Sequence, residues 1–120
     1  MSGVTDCGLL NQTVTVYHRE ENTIRRTVAE NCYLEMEQRQ QADKLGLWKQ
    51  TRFLLIMPGE CQRVFPGDRV MRGIGPQITR EQWKSFLPAA VPGLGEAAYA
   101  APFYVDGKLS HVEAGRKWKI

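Results

Sequence analysis

Residues 99–115 read YAAPFYVDGKLSHVEAG, and this stretch decides the fold because it carries the strongest β-hairpin signal in the chain. Asp106 and Gly107 stand between two runs that contain apolar and β-forming residues. Both residue types tolerate the positive φ angles of a type I′ turn, whose twist matches that of the strands it joins. The stretch therefore predicts two antiparallel strands connected by a two-residue turn.

Four segments upstream of this hairpin also have strand patterns. Residues 13–18 (TVTVYH) are β-branched and aromatic residues in series, and residues 24–37 end in strict alternation, with a bend expected near residues 30–31. Residues 48–57 end in the apolar run FLLIM, which predicts burial on both faces of that strand. Residues 69–72 follow a Pro-Gly-Asp turn and predict a short strand.

Residues 79–87 are the only good helix candidate. Thr79 and Gln82 have the spacing of a capping box, and Pro88 ends the segment. Its large apolar residues fall on one helical face: Trp83, Phe86 and Leu87. We expect a helix of about two to three turns, stabilised by packing rather than by propensity.

These elements predict an all-β fold, a small barrel or sandwich of five to six strands with one short helix near residues 79–87. The 120 residues fit one β-barrel-like domain over residues 1–120. Around it we expect an N-terminal arm, two extended loops and a basic C-terminal tail: residues 1–12, 38–47, 88–98 and 116–120. No glycine-rich phosphate loop leads into a helix, which argues against a nucleotide-binding α/β fold.

The potential catalytic and metal-binding residues are few and widely spaced. The three cysteines Cys7, Cys32 and Cys61 form no Cys-x-x-Cys pair, so neither a disulfide framework nor a zinc site is supported. A cysteine nucleophile would need His18 or His111 beside it as a base, and the sequence shows no such proximity. Cys32 is better explained as a small core residue. We expect no cofactor, no metal and no enzymatic activity.

The carboxylates and the charge balance favour a solvated surface. Glu35 and Glu37 share one face of a predicted strand, which a solvent-exposed face explains. The net charge of +3 is too small to imply nucleic acid, although small β-barrels do bind single strands through basic and aromatic residues. No apolar run has membrane-spanning length and the first residues do not form a signal peptide, so no membrane partner is expected.

Four segments together resemble a known family. They are VTVY at 14–17 before a basic second strand, LLIMP at 54–58, PGDRV at 66–70 with Gly73 after it, and GKLSHVEAG at 107–115. In order and spacing they resemble small minor capsid, or head–tail connector, proteins of long-tailed bacteriophages and prophages. The resemblance covers most of the chain.

The resemblance implies a head-closure (stopper) protein of the phage neck. Such proteins are small β-barrels that form rings, here expected to hold six copies, below the portal and adaptor. The ring retains the packaged double-stranded DNA and docks the tail, through a tail-terminator or tail tube protein. We therefore expect a virion protein made in the cytoplasm of the bacterial host. The helix and residues 88–98 depart from the family pattern and leave an adaptor or tail-terminator role open.

The two loops and the two termini are the expected contact segments, because their length and composition contrast with the tightly turned strands. One loop could face the DNA channel. The candidate contacts to neighbouring subunits or partners are Arg39, Gln41, Lys44, Leu45, Val91, Leu94 and Trp118.

Overall fold

The structure is a computed structural model that describes residues 11–43, 46–59 and 64–117. Within these ranges the chain forms seven antiparallel strands and one turn of 3-10 helix, so the all-β prediction is confirmed. The strands are β1 (Gln12–Arg19), β2 (Ile24–Asp43), β3 (Gly46–Pro58), β4 (Arg69–Arg72), β5 (Leu94–Glu96), β6 (Tyr99–Val105) and β7 (Lys108–Arg116). The 3-10 helix is Gln82–Ser85.

The strands form one curled sheet in the order β5-β4-β1-β2-β3-β7-β6, which makes a half-barrel. Its two edge strands are consecutive in the chain, and Ala97 and Ala98 connect them. The backbone of Ala97 bonds to Gly67 and Asp68, both at 2.8 Å, and the N–H of Ala98 donates to the carbonyl of Gly115 at 2.7 Å. The chain itself therefore bridges the two edges of the sheet.

A β-bulge at Asn31 divides β2 between the two halves of the sheet. Val14 pairs with Ala29 but Gln12 pairs with Cys32, so β2 contains one extra residue here, and Asn31 has a φ of 58°. Before the bulge β2 pairs with β1, and after it β2 pairs with β3. The bend predicted at this point is confirmed.

Two apolar clusters lie on opposite faces of β1. Val14 and Val16 face the interior of the half-barrel, whereas Tyr17 packs with residues of the segment 73–93, which we call the strap. The inner cluster contains Val14, Val16, Ala29, Cys32, Leu34, Phe53, Leu55, Met57, Val64, Val70, Ala97 and Ala114. The second cluster contains Tyr17, Ile24, Trp83, Phe86 and Leu94. The continuous burial predicted for β3 is instead found in β1, since Leu54 and Ile56 are only half-buried.

The strap is held against the sheet by Arg69, whose residue is only 6% exposed. Its Nε donates to Glu96 Oε2 at 3.0 Å, and its Nη1 donates to the carbonyls of Trp83 and Phe86 at 2.7 and 2.6 Å. The guanidinium also stacks 3.6 Å above the Trp83 ring, a cation–π contact. One buried cation therefore joins β4, β5 and the strap.

The predicted helix near residues 79–87 is a single 3-10 turn, because so short a segment ahead of Pro88 cannot extend. Its capping box is confirmed: the N–H of Thr79 donates to Gln82 Oε1 at 2.8 Å, and the N–H of Gln82 donates to Thr79 Oγ1 at 3.3 Å. Trp83 and Phe86 are buried as predicted, whereas Leu87 is exposed.

The extended loop predicted at residues 38–47 is wrong, whereas the one predicted at residues 88–98 is partly correct, because residues 88–93 belong to no helix or strand. Residues 38–43 and 46–47 belong to paired strands of a β2–β3 hairpin, and residues 94–96 form β5. Residues 38–40 are exposed and polar, so this part of β2 has no apolar alternation by which the sequence could mark it as a strand. Of the predicted termini, Gln12 and Arg116 lie in strands, whereas residues 1–10 and 118–120 lie outside the described residues. The type I′ turn is confirmed, with φ of 50° at Asp106 and 78° at Gly107.

The closing of the sheet generates a first prediction, at Gly95. A Cβ there would lie 2.6 Å from Cδ1 of the buried Phe53 ring, so Gly95→Ala should lower the free energy of unfolding by about 1–3 kcal/mol through overpacking. Urea unfolding measures the loss. In a Phe53→Leu background, Gly95→Ala should lower the free energy of unfolding by less, because the smaller leucine side chain leaves room for the added Cβ. Strictly additive effects of the two substitutions would contradict the contact.

A second prediction concerns Arg69. Arg69→Met should lower the free energy of unfolding by about 3 kcal/mol, because Glu96 and two strap carbonyls lose their buried partner. The matched control is Arg72→Met on the same strand, where an exposed side chain should change stability by less than about 0.5 kcal/mol. Equal losses for the two variants, measured by urea unfolding, would show that the buried network does not stabilise the strap.

Candidate functional site

The β2–β3 hairpin extends beyond the rest of the sheet. β1 pairs with β2 only as far as Cys32, and β7 pairs with β3 only as far as Phe53. Residues 37–43 and 46–52 therefore pair only with each other, and we call them the ribbon. Its seven residue pairs, at about 3.3 Å per step, give a length of roughly 20 Å. Among the described residues, no third strand pairs with the ribbon.

Side-chain bonds fix the base of the ribbon. Gln38 Nε2 donates to Oγ1 of the buried Thr51 across the two strands at 3.0 Å. The N–H of Gly93, in the strap, donates to Gln38 Oε1 at 3.5 Å. The ribbon is therefore attached at its base to the segment that Arg69 holds against the sheet.

A cleft of about 160 Å³ lies where the ribbon meets the strap. Gln38, Arg39 and Gln40 line it from the ribbon, and Pro88 and Pro92 line it from the strap. The two segments that the sequence predicted as separate contact loops thus lie side by side. They form one continuous surface of mixed polar and apolar character.

A ladder of charges covers one face of the ribbon base. Arg52 Nη2 donates to Glu35 Oε1 at 3.0 Å and to Glu37 Oε2 at 3.3 Å. The Tyr33 hydroxyl donates to Glu35 Oε2 at 2.8 Å. The bond from Tyr33, followed by the bond from Arg52, lowers the pKa of Glu35 and keeps it ionised. The solvated face predicted for the two glutamates is confirmed.

The predicted contact residues have different outcomes. Arg39 is exposed at the ribbon base, and Gln41 lies in the ribbon, where its backbone pairs with Trp48. Val91 is half-buried against the second apolar cluster. The prediction for Leu94 is wrong, because this residue is 0% exposed in β5 and packs in the same cluster. The other predicted contacts lie outside the described residues: Lys44, Leu45 and Trp118.

The sequence did not reveal an exposed apolar groove beside β6. The groove has a volume of about 280 Å³ and lies between β6 and the segment 64–66. Its lining residues are Val64, Phe65, Pro66, Ala100, Ala101, Pro102, Tyr104, Leu109 and Val112. Pro102 was the available signal, because proline within a strand marks a sheet edge.

His18 and Asp68 form a close pair that their separation in sequence concealed. His18 Nδ1 lies 2.5 Å from Asp68 Oδ1, and the N–H of Phe65 donates to Asp68 Oδ2 at 3.0 Å. The Phe65 ring packs against the imidazole at a centroid distance of 5.1 Å. Burial raises the pKa of Asp68, while the bonds from His18 and Phe65 oppose that rise. The pair joins β1 to the turn that precedes β4.

Cys32 and His111 occupy structural positions, whereas Cys7 and Cys61 lie outside the described residues. Cys32 is buried in the inner cluster as predicted, and its thiol donates to the carbonyl of Glu30 at 3.5 Å. His111 stacks on Phe103 with ring centroids 4.8 Å apart and contacts Ser110. Across the described ranges, no group of three or more His, Cys, Asp or Glu residues is arranged to hold a metal ion.

Comparison with protein-family profiles, with curated proteins and with solved structures gives no match. In the part of the chain that the structure describes, no helix is both long enough and apolar enough to cross a membrane. The ribbon base, the adjoining cleft and the groove are therefore interpreted from their geometry and from the sequence.

A third prediction follows from the burial of Asp68, whose ordinary pKa is 3.8. The raised pKa means that the folded state binds this proton more tightly than the unfolded state. The stabilisation that this proton gives to the folded state is complete below the pKa of Asp68 in the unfolded state. It is lost as the pH rises through the pKa of Asp68 in the folded state. Relative to Asp68→Asn, the wild-type protein should therefore lose stability as the pH rises from about 3 through the ordinary value of 3.8 and above it.

Urea unfolding at several pH values measures this difference. Besides Asp68 itself, the charged groups that act on it are His18 and Arg25. Asp106→Asn is the matched control, because Asp106 is exposed on the type I′ turn and asparagine tolerates the same φ. A constant stability difference between wild type and Asp68→Asn across this interval would contradict the raised pKa.

Proposed function

We propose that this chain is a structural virion protein of a phage neck, one that forms a ring between the portal or adaptor and the tail. In that role it closes the filled head and docks the tail. The resemblance of residues 14–17, 54–58, 66–73 and 107–115 to minor capsid proteins supports the proposal. The structural observation that carries it is the ribbon, which extends roughly 20 Å beyond the sheet from a fixed base.

A ring needs a heterologous interface, in which one patch of a subunit meets a different patch on the next copy. A projecting ribbon suits this contact, because it reaches past the rest of the sheet and, in the described part of the chain, no third strand pairs with it. Its base is already ordered by Gln38, Thr51 and Gly93, so binding there sacrifices little conformational freedom.

The proposal assigns partners to the two sides of the ring. We expect six copies, with the portal or adaptor on one side and the tail-terminator or tail tube protein on the other. Packaged double-stranded DNA would lie in the central channel, and the protein would reside in the virion neck. An adaptor or tail-terminator subunit would assemble through the same kind of contacts and is the alternative within the neck.

A single-stranded nucleic-acid module is the competing class, and the arginine contacts do not favour it. Arg69 is buried, Arg26 donates to the carbonyl of Gly75 at 2.9 and 2.7 Å, and Arg116 donates to the carbonyl of Glu96 at 2.8 Å. These side chains bind their own fold rather than forming a basic groove.

A shortened ribbon tests the proposal. Replacing residues 39–50 by Asn-Gly keeps the Gln38–Thr51 pair and closes the hairpin with a type I′ turn. The full chain should sediment as a ring in analytical ultracentrifugation, alone or with the portal-side protein encoded beside it. The shortened variant should remain folded by circular dichroism and stay monomeric.

Asp106→Asn, at the tip of the other hairpin, is the control and should assemble like wild type. Assembly of the shortened variant would show that the ribbon is dispensable. A full chain that stays monomeric with and without its portal-side partner would defeat the neck proposal. Salt-dependent binding of short oligonucleotides by that monomer would instead support the nucleic-acid module.

A further inference from the structure

Exposed apolar side chains gather around the groove beside β6. Among the described residues, seven large apolar side chains are exposed, and four of them lie on β6 or across the groove from it: Phe65, Phe103, Tyr104 and Val105. These four are between 40 and 63% exposed. Since a whole aromatic side chain covers roughly 150–250 Å², they leave on the order of 400 Å² of apolar surface exposed. A patch of this size on a soluble protein is often a binding surface.

The strand that carries this patch is also an open edge of the sheet. β6 is the last strand in the sheet order and, in the described part of the chain, pairs only with β7. Its sequence, Tyr-Ala-Ala-Pro-Phe-Tyr-Val, carries no charge, and none of the residues that line the groove is charged. Of the charged side chains and prolines that usually protect such an edge, β6 has only Pro102. The edge can therefore accept an extended, uncharged strand from another chain.

The sizes of the side chains along β6 indicate which strand fits. Two small residues, Ala100 and Ala101, precede Pro102, and two large ones, Phe103 and Tyr104, follow it. Because side chains alternate along a strand, Ala100 and Tyr104 share the face of Pro102, whereas Ala101 and Phe103 share the other face. On both faces a small side chain therefore lies before Pro102 and a large one after it. A strand that runs antiparallel with the same sequence complements this gradient.

We infer that β6 of one copy pairs antiparallel with β6 of a second copy, about a two-fold axis at Pro102. In this register Ala100 of each copy lies opposite Tyr104 of the other, and Ala101 lies opposite Phe103, so every large side chain meets a small one. Because β6 is uncharged, pairing with itself brings no like charges together. The contact covers the apolar edge that a free subunit would otherwise expose.

The size of the patch makes this dimer weak. It is about half of the roughly 800 Å² that each partner buries in a standard stable interface. Pro102 has no N–H to donate, so the new pairing depends on side chains more than a complete ladder would. We expect a dissociation constant of roughly 100 µM. Neighbours in a cyclic ring meet through two different patches, so this two-fold contact belongs to the free subunit and does not depend on the proposed ring.

The shortened ribbon variant isolates this contact, because it lacks the ribbon of the proposed ring. In analytical ultracentrifugation it should be a monomer at about 10 µM and mostly a dimer at about 1 mM. Adding Tyr104→Lys should weaken dimerisation by at least about tenfold, because a charge replaces a large apolar side chain in the groove. Adding Ile74→Lys is the matched control, since Ile74 is exposed in the strap, away from β6 and the groove. A monomer at every concentration, or equal effects of the two substitutions, would overturn the inference.

Cross-linking tests the register. In a shortened variant that also carries Cys7→Ser and Cys61→Ser, Pro102→Cys places two thiols opposite each other across the axis. Side chains directly opposite in an antiparallel pair have Cβ atoms about 4.5–5.5 Å apart, close enough for a disulfide after small adjustments. Oxidised glutathione should therefore produce a covalent dimer. Val105→Cys is the control and should stay monomeric, because it faces Tyr99 of the other copy. Equal cross-linking of the two variants, or none in either, would overturn the inference.

The dimer and the ring fail separately. A full chain that forms the ring, with a shortened variant that never dimerises, would retain the proposed function and overturn the β6 pairing. A β6 dimer without any ring would support the pairing and count against the neck proposal. In the absence of dimers, NMR signals of residues 99–105 that shift only when the portal-side protein is added would assign the edge to a different chain and would also overturn the inference.

Discussion

The buried guanidinium of Arg69 is the interaction on which the arrangement of this protein depends. A charge this deep in the fold is tolerated only when its hydrogen bonds are satisfied. Glu96, the carbonyls of Trp83 and Phe86, and the Trp83 ring provide those partners. Because these partners come from β5 and from the strap, the contacts that satisfy the Arg69 guanidinium also fix the positions of both segments.

The outer face of β1 reinforces the same arrangement with polar contacts. Thr15 Oγ1 donates to the carbonyl of Gly73 and accepts from the N–H of Gly75, both at 2.8 Å. The Tyr17 hydroxyl donates to the carbonyl of Pro76 at 2.6 Å. Residues 73–76 of the strap belong to no helix or strand, so these bonds pair backbone groups that would otherwise lie unpaired over an apolar cluster. Because side chains alternate along β1, its valines face the interior of the half-barrel, and its hydrogen-bonding side chains face the strap.

The features that were predicted correctly from the sequence depend on local chemistry. The φ angles at Asp106 and Gly107, the capping box at Thr79 and the bend near Asn31 depend on residues adjacent in the chain, and all three are confirmed. The missed features depend on contacts with another segment rather than on the residues of the segment itself. A polar run such as residues 38–41 has no apolar alternation, so only its partner strand reveals it as a strand. Nothing local to Leu94, predicted as a contact residue, shows that it packs in one cluster with Tyr17, 77 positions earlier in the chain.

The sequence therefore predicted which segments form the candidate site but not how they are arranged in space. Residues 38–47 and 88–98 were predicted as contact elements, and the structure places parts of both at one cleft, linked by Gly93 and Gln38. That link has a mechanical consequence. The ribbon base is attached to the strap, and the strap is attached through Arg69 to β4 and β5, whose continuation into β6 forms one wall of the groove. A continuous series of packed and hydrogen-bonded elements thus connects the ribbon of a subunit to its own groove, so a load applied to the ribbon would be borne by the sheet rather than by a flexible loop.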